Sequence, residues 1–170
     1  LWVAPEDFAR SLADSGLESR PAVVHGSYQP TICAAGNPIQ RTRTLEIRRP
    51  PALWLHGIWS NDQTWEYSLE NDSRFDVFTG DYEATNAEAF AVNVPYARAA
   101  VRSALNQARN EHDIAATQVD VVGHSMGGLL TRLYVTDYSA FYYRDDDLQA
   151  GDVNRLITLD TPHAGSEVAN

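Results

Sequence analysis

A serine between two glycines is the group in this sequence best placed by its neighbours to act as a nucleophile. Ser125 lies at the centre of the pentapeptide GHSMG, residues 123–127. Gly123 and Gly127 carry no Cβ atoms, so they permit the tight turn that lifts a serine off the end of a strand. The N-terminal amides of a following helix would face the charge that develops in acyl transfer. The pattern predicts a nucleophilic serine; a helix N-cap serine is the alternative.

The residues around this turn are those that a strand and a helix require. Residues 118–122 (QVDVV) form a short β-branched run of the kind found in buried parallel strands. After the turn, Leu129, Leu130 and Leu133 are apolar at helical spacing. The strand–turn–helix context that a nucleophile elbow needs is therefore met.

Two further segments accompany the elbow in the sequence. Upstream, residues 52–59 read ALWLHGIW, an apolar run that ends in His-Gly; downstream, residues 153–166 read VNRLITLDTPHAGS. In this order, the three segments resemble the α/β-hydrolase superfamily. The TPHAGS pattern is similar to that of lipase-like serine hydrolases, such as bacterial triacylglycerol lipases and GPI inositol-deacylases. The resemblance covers residues from about 50 to 167.

The resemblance implies an α/β-hydrolase fold, a mostly parallel sheet flanked by helices, incomplete at its C-terminal end. It also implies an oxyanion hole formed by the backbone N–H groups of Met126, next to the nucleophile, and of Ile58, just after the His-Gly pair. His56 is expected to hold this loop by hydrogen bonds, and the His124 side chain is expected to point away from Ser125.

The catalytic acid and base are left open by the sequence. The fold places Asp or Glu and then His after the serine, and His163 is the one histidine that follows Ser125. In lipases that carry the TPHAGS-like pattern, this histidine is not the base. Asp160, at a strand end, is a candidate acid; the alternative acid lies beyond Asn170. We therefore expect a C-terminally truncated fragment with little activity alone, whose Asp and His come from a C-terminal remainder or a second chain.

Composition limits the class of protein and its partners. The chain has 170 residues and a formal net charge of −10, which argues against nucleic acid as a partner but is compatible with an ester or lipid substrate. The lone cysteine, Cys33, excludes an intramolecular disulfide. No transmembrane segment, metal-ligand spacing or phosphate-binding glycine loop is evident, so we expect no metal and no cofactor. The compartment stays open.

Residues 1–50 are expected to form an N-terminal helix and edge strands, and residues 51–170 the N-terminal part of a catalytic domain. The predicted elements are a helix at 5–15, strands at 21–28, 41–48, 52–56, around 75–82, at 118–122 and at 154–159, and helices at 94–110 and after the elbow. The acidic run 145–147 suggests a solvated face or a lid loop. The aromatic residues of 134–143 suggest an acyl pocket, a lid, or a packed helix face.

The resulting functional prediction is a serine hydrolase that cleaves lipid-type carboxylic esters through an acyl-enzyme on Ser125. One alternative is an acyltransferase, in which a bound alcohol outcompetes water. The other is a non-catalytic, hydrolase-like binding domain, which the missing triad histidine favours. Sequence does not separate the first two, because the acceptor site is made by loops.

Overall fold

A computed structural model describes residues 19–28, 39–65, 72–137 and 142–166 of the protein. The helix expected at 5–15 and the thiol of Cys33 lie outside the described residues. The backbone divides into two compact units, residues 1–49 and residues 50–170. No helix within the described ranges combines the length and the apolar character needed to cross a membrane.

The first unit contains an antiparallel pair of strands. Strand β1 (Ser19–Tyr28) pairs along its whole length with β2 (Ile39–Arg48), so that Ser19 faces Arg48 and Tyr28 faces Ile39. The strands expected at 21–28 and 41–48 are both present, and each begins two residues earlier than expected. Side chains 40–46 are all exposed, in keeping with the alternating Arg and Thr of that segment.

The second unit is built on a parallel sheet. Its described strands are β3 (Ala52–Leu55), β4 (Val77–Gly80), β5 (Val119–His124) and β6 (Val153–Leu159). They lie in the order β4-β3-β5-β6, and every pairing is parallel. Helix α1 (Phe90–Asn110) connects β4 to β5, and α2 (Met126–Asp137) connects β5 to β6. This alternation confirms the predicted α/β fold with a mostly parallel sheet flanked by helices.

Both helices pack with the same set of strand residues. Leu53 and Leu55 of β3 and Val119 and Val121 of β5 form a buried cluster with residues of α1 and α2. The buried residues of α1 recur at intervals of three and four, as an amphipathic helix requires, and several are alanines: Val94, Ala97, Val101, Ala104, Leu105 and Ala108. These small side chains let α1 lie close to the strands that support the site.

A smaller cluster contains two tryptophans. Trp54 of β3 meets Trp65 edge to face, with ring centroids 4.8 Å apart, and Ala52 is buried beside them. Trp65 ends a 3₁₀ helix, Asp62–Trp65, in the segment that follows β3. Its ring also lies 6.3 Å from that of His124, so this cluster supports the strand end that precedes Ser125.

The acidic run at 145–147 is not wholly solvated, so that expectation was wrong for Asp147. Asp145–Asp147 forms a 3₁₀ helix in which Asp147 is completely buried and accepts the backbone N–H of Arg144 at 2.9 Å. The Arg144 guanidinium also holds the buried Asp152 through two bonds of 2.7 and 2.6 Å. Asp147, one member of an acidic run, therefore shares a buried ion network with Arg144 and Asp152, which a charge pattern alone does not reveal.

The aromatic segment divides between core and surface. Tyr134 and Tyr142 are buried, with ring centroids 5.3 Å apart, and the Tyr134 hydroxyl donates to Asp152. Tyr143 is half exposed. Tyr138 and Phe141 lie outside the described residues. The two buried tyrosines therefore belong to the packed face of the helix and its exit, one of the alternatives considered for this segment.

Candidate active site

Ser125 occupies a strained turn between a strand and a helix. Strand β5 ends at His124 and helix α2 begins at Met126, so Ser125 alone makes the turn, with a φ angle of 51°. Its backbone N–H donates to the Leu159 carbonyl at 2.8 Å, which fixes the turn to the end of β6. A positive φ is uncommon for a residue with a side chain and is concentrated at functional sites. The Ser125 backbone is thus held in the conformation expected of a nucleophile elbow.

The glycines around Ser125 lie where backbone meets backbone. A Cβ on Gly123 would come within 2.5 Å of the Gly128 nitrogen. A Cβ on Gly127 would lie 2.5 Å from the Leu55 carbonyl oxygen and 2.8 Å from that of His56. Helix α2 can therefore approach the end of β3 only because these positions carry no side chain.

The turn after β3 contacts the serine directly. A Cβ on Gly57 would lie 2.9 Å from Ser125 Cβ, 3.4 Å from Ser125 Oγ and 3.0 Å from His124 Nδ1. The His-Gly pair that ends β3 is therefore adjacent to the serine in space, although the two are far apart in sequence. This is the juxtaposition that a loop carrying an oxyanion donor requires.

His56 holds the loop through a buried set of hydrogen bonds. Its Nδ1 lies 2.8 Å from the Gly57 carbonyl, and its Nε2 lies 3.1 Å from the Tyr82 backbone N–H and 3.0 Å from Asp81 Oδ1. A ring with its proton on Nδ1 donates to Gly57 and accepts from Tyr82. The Tyr82 hydroxyl donates in turn to the His56 carbonyl, and the two rings stack with centroids 4.0 Å apart. The expectation that His56 holds this loop fits these contacts.

Tyr82 is itself a buried member of this assembly. Its residue is only 3% exposed, and burial together with the neighbouring Asp81 raises the pKa of its phenol above the ordinary value. The phenol therefore stays protonated and able to donate to the His56 carbonyl at physiological pH. The segment after β4 thus supports the segment after β3 by side-chain hydrogen bonding.

The two expected oxyanion donors flank the serine in the wall of one cavity. Met126 is the first residue of α2, so its N–H has no partner within the helix. In the described part of the chain, no backbone carbonyl accepts the N–H of Ile58. Two N–H groups beside Ser125, both without helix or sheet partners among the described residues, are compatible with the oxyanion hole that the sequence predicts.

The cavity above Ser125 is open and mostly apolar. It has a volume of about 330 Å³, and its wall is formed by Ile58, Phe90, Ser125, Met126, Leu129, Pro162, Gly165 and Ser166. Five of these residues present apolar side chains, with Phe90 and Ile58 partly exposed at its mouth. The space is suited to an apolar group that reaches the serine.

The remaining residues singled out from the sequence are near the site but make no bond to the serine. Within the described ranges, no histidine or carboxylate hydrogen-bonds the Ser125 hydroxyl. Asp160 follows β6 directly, is exposed and has a φ of 47°, and no described residue hydrogen-bonds its carboxylate. His163 is engaged elsewhere, since its ring contacts Arg132 and Thr158. His124 turns its Nδ1 toward Gly57 and Trp65, where no described group bonds that atom.

Sequence analysis missed the residues that support the site. The Tyr82 backbone N–H donates to His56 Nε2, Asp81 Oδ1 lies 3.0 Å from the same nitrogen, and the Thr161 hydroxyl donates to the Gly123 carbonyl at 3.3 Å within the elbow. A usable signal was present, because carboxyl ends of parallel strands meet at one sheet edge. Asp81 lies in the exit loop of the strand segment predicted at 75–82, which places it at the same edge as His56 without showing that the two strands are neighbours. Among the described residues, no three His, Cys, Asp or Glu side chains lie close enough together to hold a metal ion.

Comparison with known proteins gives one family match. The model of the PGAP1-like alpha/beta domain matches residues 55–170, which begin at the last residue of β3 and include the elbow and the segment after β6. A search of curated proteins finds no match. The family has a hydrolase-type α/β fold, in agreement with the parallel sheet and the elbow. Because the match spans more than half of the sequence, the chain belongs to the PGAP1-like alpha/beta domain family.

Proposed function

We propose that this protein is a serine hydrolase that cleaves carboxylic esters of lipid type through an acyl-enzyme on Ser125. The observation that carries the proposal is the φ of 51° at Ser125, on a turn packed against Gly57 at the floor of an apolar cavity. A strained side-chain-bearing residue costs stability and is retained where the rest of the structure enforces it. Here the strain presents a hydroxyl to a space that would admit a substrate.

The proposed reaction has two steps. The Ser125 oxygen attacks the ester carbonyl carbon while its proton passes to a general base, and the carbonyl oxygen becomes an oxyanion facing the N–H groups of Ile58 and Met126. The carbon–oxygen bond to the alcohol then breaks, and the alcohol leaves with that proton. Water attacks the acyl-enzyme in the second step, releasing a carboxylic acid and restoring the Ser125 hydroxyl.

We assign the general base to a histidine other than His163, because the His163 ring is bonded to Arg132 and Thr158. Asp160 stays a candidate for the acid that orients this base, since it follows the residue whose carbonyl accepts the Ser125 N–H. A serine without its base is a weak nucleophile. The full natural chain is therefore the form in which activity should be measured.

The lining of the cavity favours an acyl group over a small polar one. The residues Ile58, Phe90, Leu129 and Pro162 would cover a hydrocarbon chain. Each methylene buried there contributes about 0.8 kcal/mol. We therefore expect kcat/KM for p-nitrophenyl octanoate to exceed that for p-nitrophenyl acetate by at least about tenfold, which steady-state kinetics would measure.

Labelling with a fluorophosphonate tests the nucleophile. The full natural chain should become covalently modified on Ser125, identified by peptide mass spectrometry, and Ser125→Ala should abolish the modification. Ser103→Ala is the matched control, because Ser103 is exposed on α1 and bonded to Gln107 rather than facing the cavity. Absence of labelling in the unaltered protein would overturn the proposal in favour of a non-catalytic binding domain. Product analysis in the presence of an added alcohol separates hydrolysis from acyl transfer.

A further inference from the structure

The cavity above Ser125 has a neighbour along helix α2. This second cavity has a volume of about 240 Å³ and is lined by Phe90, Leu129, Arg132, Leu133, Thr136 and His163. Phe90 and Leu129 line both cavities, so the two adjoin. Both cavities are open and Phe90 is 42% exposed, so a single elongated ligand would run from the serine over Phe90 and Leu129 into the second space.

The character of the wall changes along this path. Near the serine the wall is apolar, whereas the far cavity brings in Arg132, Thr136 and His163. Arg132 follows Ser125 by seven residues. Because a helix rises 1.5 Å per residue, the backbone positions of Ser125 and Arg132 are about 10 Å apart along the axis of α2. That length corresponds to about eight extended bonds, at the ~1.2 Å per bond of a stretched backbone.

Arg132 brings an unbalanced positive charge to the far cavity. Its Nη1 donates to His163 Nδ1 at 2.7 Å, and His163 Nε2 is 3.2 Å from Thr158 Oγ1. An Nδ1 that accepts a hydrogen bond belongs to a neutral imidazole, so the contact orients the guanidinium without neutralising it. In the described ranges, no carboxylate forms an ion pair with Arg132, whereas Arg74 pairs with Asp72 and Arg144 pairs with both Asp147 and Asp152.

We infer that the substrate is an ester carrying an anionic group about 10 Å from the carbonyl carbon, which Arg132 binds in the far cavity. The inference rests on the proposed function, because Ser125 defines the reacting end of the path. Arg132 uses one of its five N–H donors on His163 and can direct others to a carboxylate or a phosphate oxygen. Arg132 then determines specificity, and His163 positions it.

Binding to the full natural chain carrying Ser125→Ala tests the inference without hydrolysis. Isothermal titration calorimetry would compare monomethyl nonanedioate, which has a carboxylate eight bonds from the ester carbon, with neutral dimethyl nonanedioate. We expect the anion to bind about tenfold more tightly at low ionic strength and the difference to shrink as salt is added. 8-Acetoxyoctanoate, with its carboxylate on the alcohol side, tells which side of the ester faces Arg132.

Arg132→Gln should weaken the binding of the anion about tenfold, so that the anion and the neutral diester bind this variant equally. Arg155→Gln is the charge-matched control, since Arg155 is exposed on β6 and lines neither cavity, and it should keep the preference. Equal binding of the two ligands, or a preference that survives Arg132→Gln, would overturn the inference. A preference abolished by Arg132→Gln supports the anion site even if phosphonate labelling fails, so the two proposals can fail separately.

Discussion

His56 connects two stretches of backbone, the turn after β3 and the turn after β4, through one fully buried side chain. Its ring contacts the Gly57 carbonyl, the Tyr82 N–H and Asp81. This contact fixes the Gly57 carbonyl. Because the Gly57 carbonyl and the Ile58 N–H belong to one planar peptide group, the direction of the Ile58 N–H is fixed as well. The oxyanion donor that we propose is therefore set by side chains that never reach a substrate.

Replacing Gly57 tests whether this loop must touch the serine. The methyl group of Gly57→Ala would lie 2.9 Å from Ser125 Cβ, too close for any real contact, so the loop has to move away. We expect phosphonate labelling of Ser125 to slow by about 100-fold, the usual effect of losing one oxyanion donor. The second-order rate constant of labelling measures this, and circular dichroism monitors folding. A folded variant that labels at the original rate would contradict the role given to this loop.

Single residues of the candidate site could be predicted from the sequence where their role depends on neighbouring residues in the chain. Ser125 and the His-Gly pair could be selected because a turn and a strand end have local residue requirements. Asp81 and Tyr82 could not be paired with His56, since that contact exists only because β4 lies beside β3 in the sheet. Strand order is a property of the folded chain rather than of either segment.

The joint between β5 and α2 depends on two glycines that meet different obstacles. A Cβ on Gly127 would strike the carbonyl oxygens of Leu55 and His56, which belong to backbone. A Cβ on Gly128 would strike the side chain of Thr161, with Thr161 Cγ2 at 2.9 Å. A second substitution can shorten the Thr161 side chain, but none can remove the backbone carbonyls of Leu55 and His56. An alanine at Gly128 should therefore be tolerated better than an alanine at Gly127.

We predict that Gly127→Ala lowers the free energy of unfolding by about 3 kcal/mol or more, and Gly128→Ala by about 1–3 kcal/mol. Adding Thr161→Ala should restore part of the loss in Gly128→Ala, with a coupling of about 1 kcal/mol, and none of the loss in Gly127→Ala. Urea unfolding of the single and double variants would measure both. Equal rescue of the two glycine variants would contradict the contacts described above.

Element boundaries follow the sequence where periodicity is strong and depart from it where tertiary contacts decide. Helix α1 begins at Phe90, four residues before the predicted start at 94. The Asn93 side chain donates to the Glu88 and Ala89 carbonyls and accepts from Thr85, which holds the chain ahead of the helix and stabilises its first turn. The earlier start of the helix therefore depends on contacts between Asn93 and residues outside the predicted range.

Over the whole second unit, buried polar groups lie at both edges of the sheet. His56 and Tyr82 occupy the edge with Ser125, and Asp152 with Arg144 occupies the opposite edge, since Asp152 precedes β6 and Ser125 follows β5. Asp152 is completely buried and held by two short bonds from Arg144. A buried acid with a bidentate arginine partner fixes one arrangement of the chain, because losing either partner leaves an unpaired charge.

Three buried phenols predict a loss of stability in alkali. Tyr82, Tyr134 and Tyr142 are each at most 4% exposed, and burial is the main cause that raises the pKa of each. The unfolded chain ionises its tyrosines near pH 10 while the folded chain keeps these protonated. Stability is therefore fully present below about pH 10 and falls above it by up to about 1.4 kcal/mol per pH unit for each phenol.

Urea unfolding between pH 8 and pH 11 would measure this slope. The sequence contains no lysine, all 13 basic residues being arginine, so tyrosines dominate the titration in this range. Tyr82→Phe should reduce the slope, and Tyr96→Phe, which alters a half-exposed side chain, should not. Stability that stays constant to pH 11 would show that these phenols ionise as freely in the folded protein as in the unfolded chain.

The close approach of Gly127 to the carbonyls of Leu55 and His56 also has a consequence for how the protein folds. Strand β3 and helix α2 are distant in sequence, yet neither can take its final position without the other. The turn at Ser125 is therefore completed only when the long-range part of folding is complete. A partly folded chain with a formed helix has no competent nucleophile, so reactivity at Ser125 should report the cooperative assembly of the sheet rather than local structure.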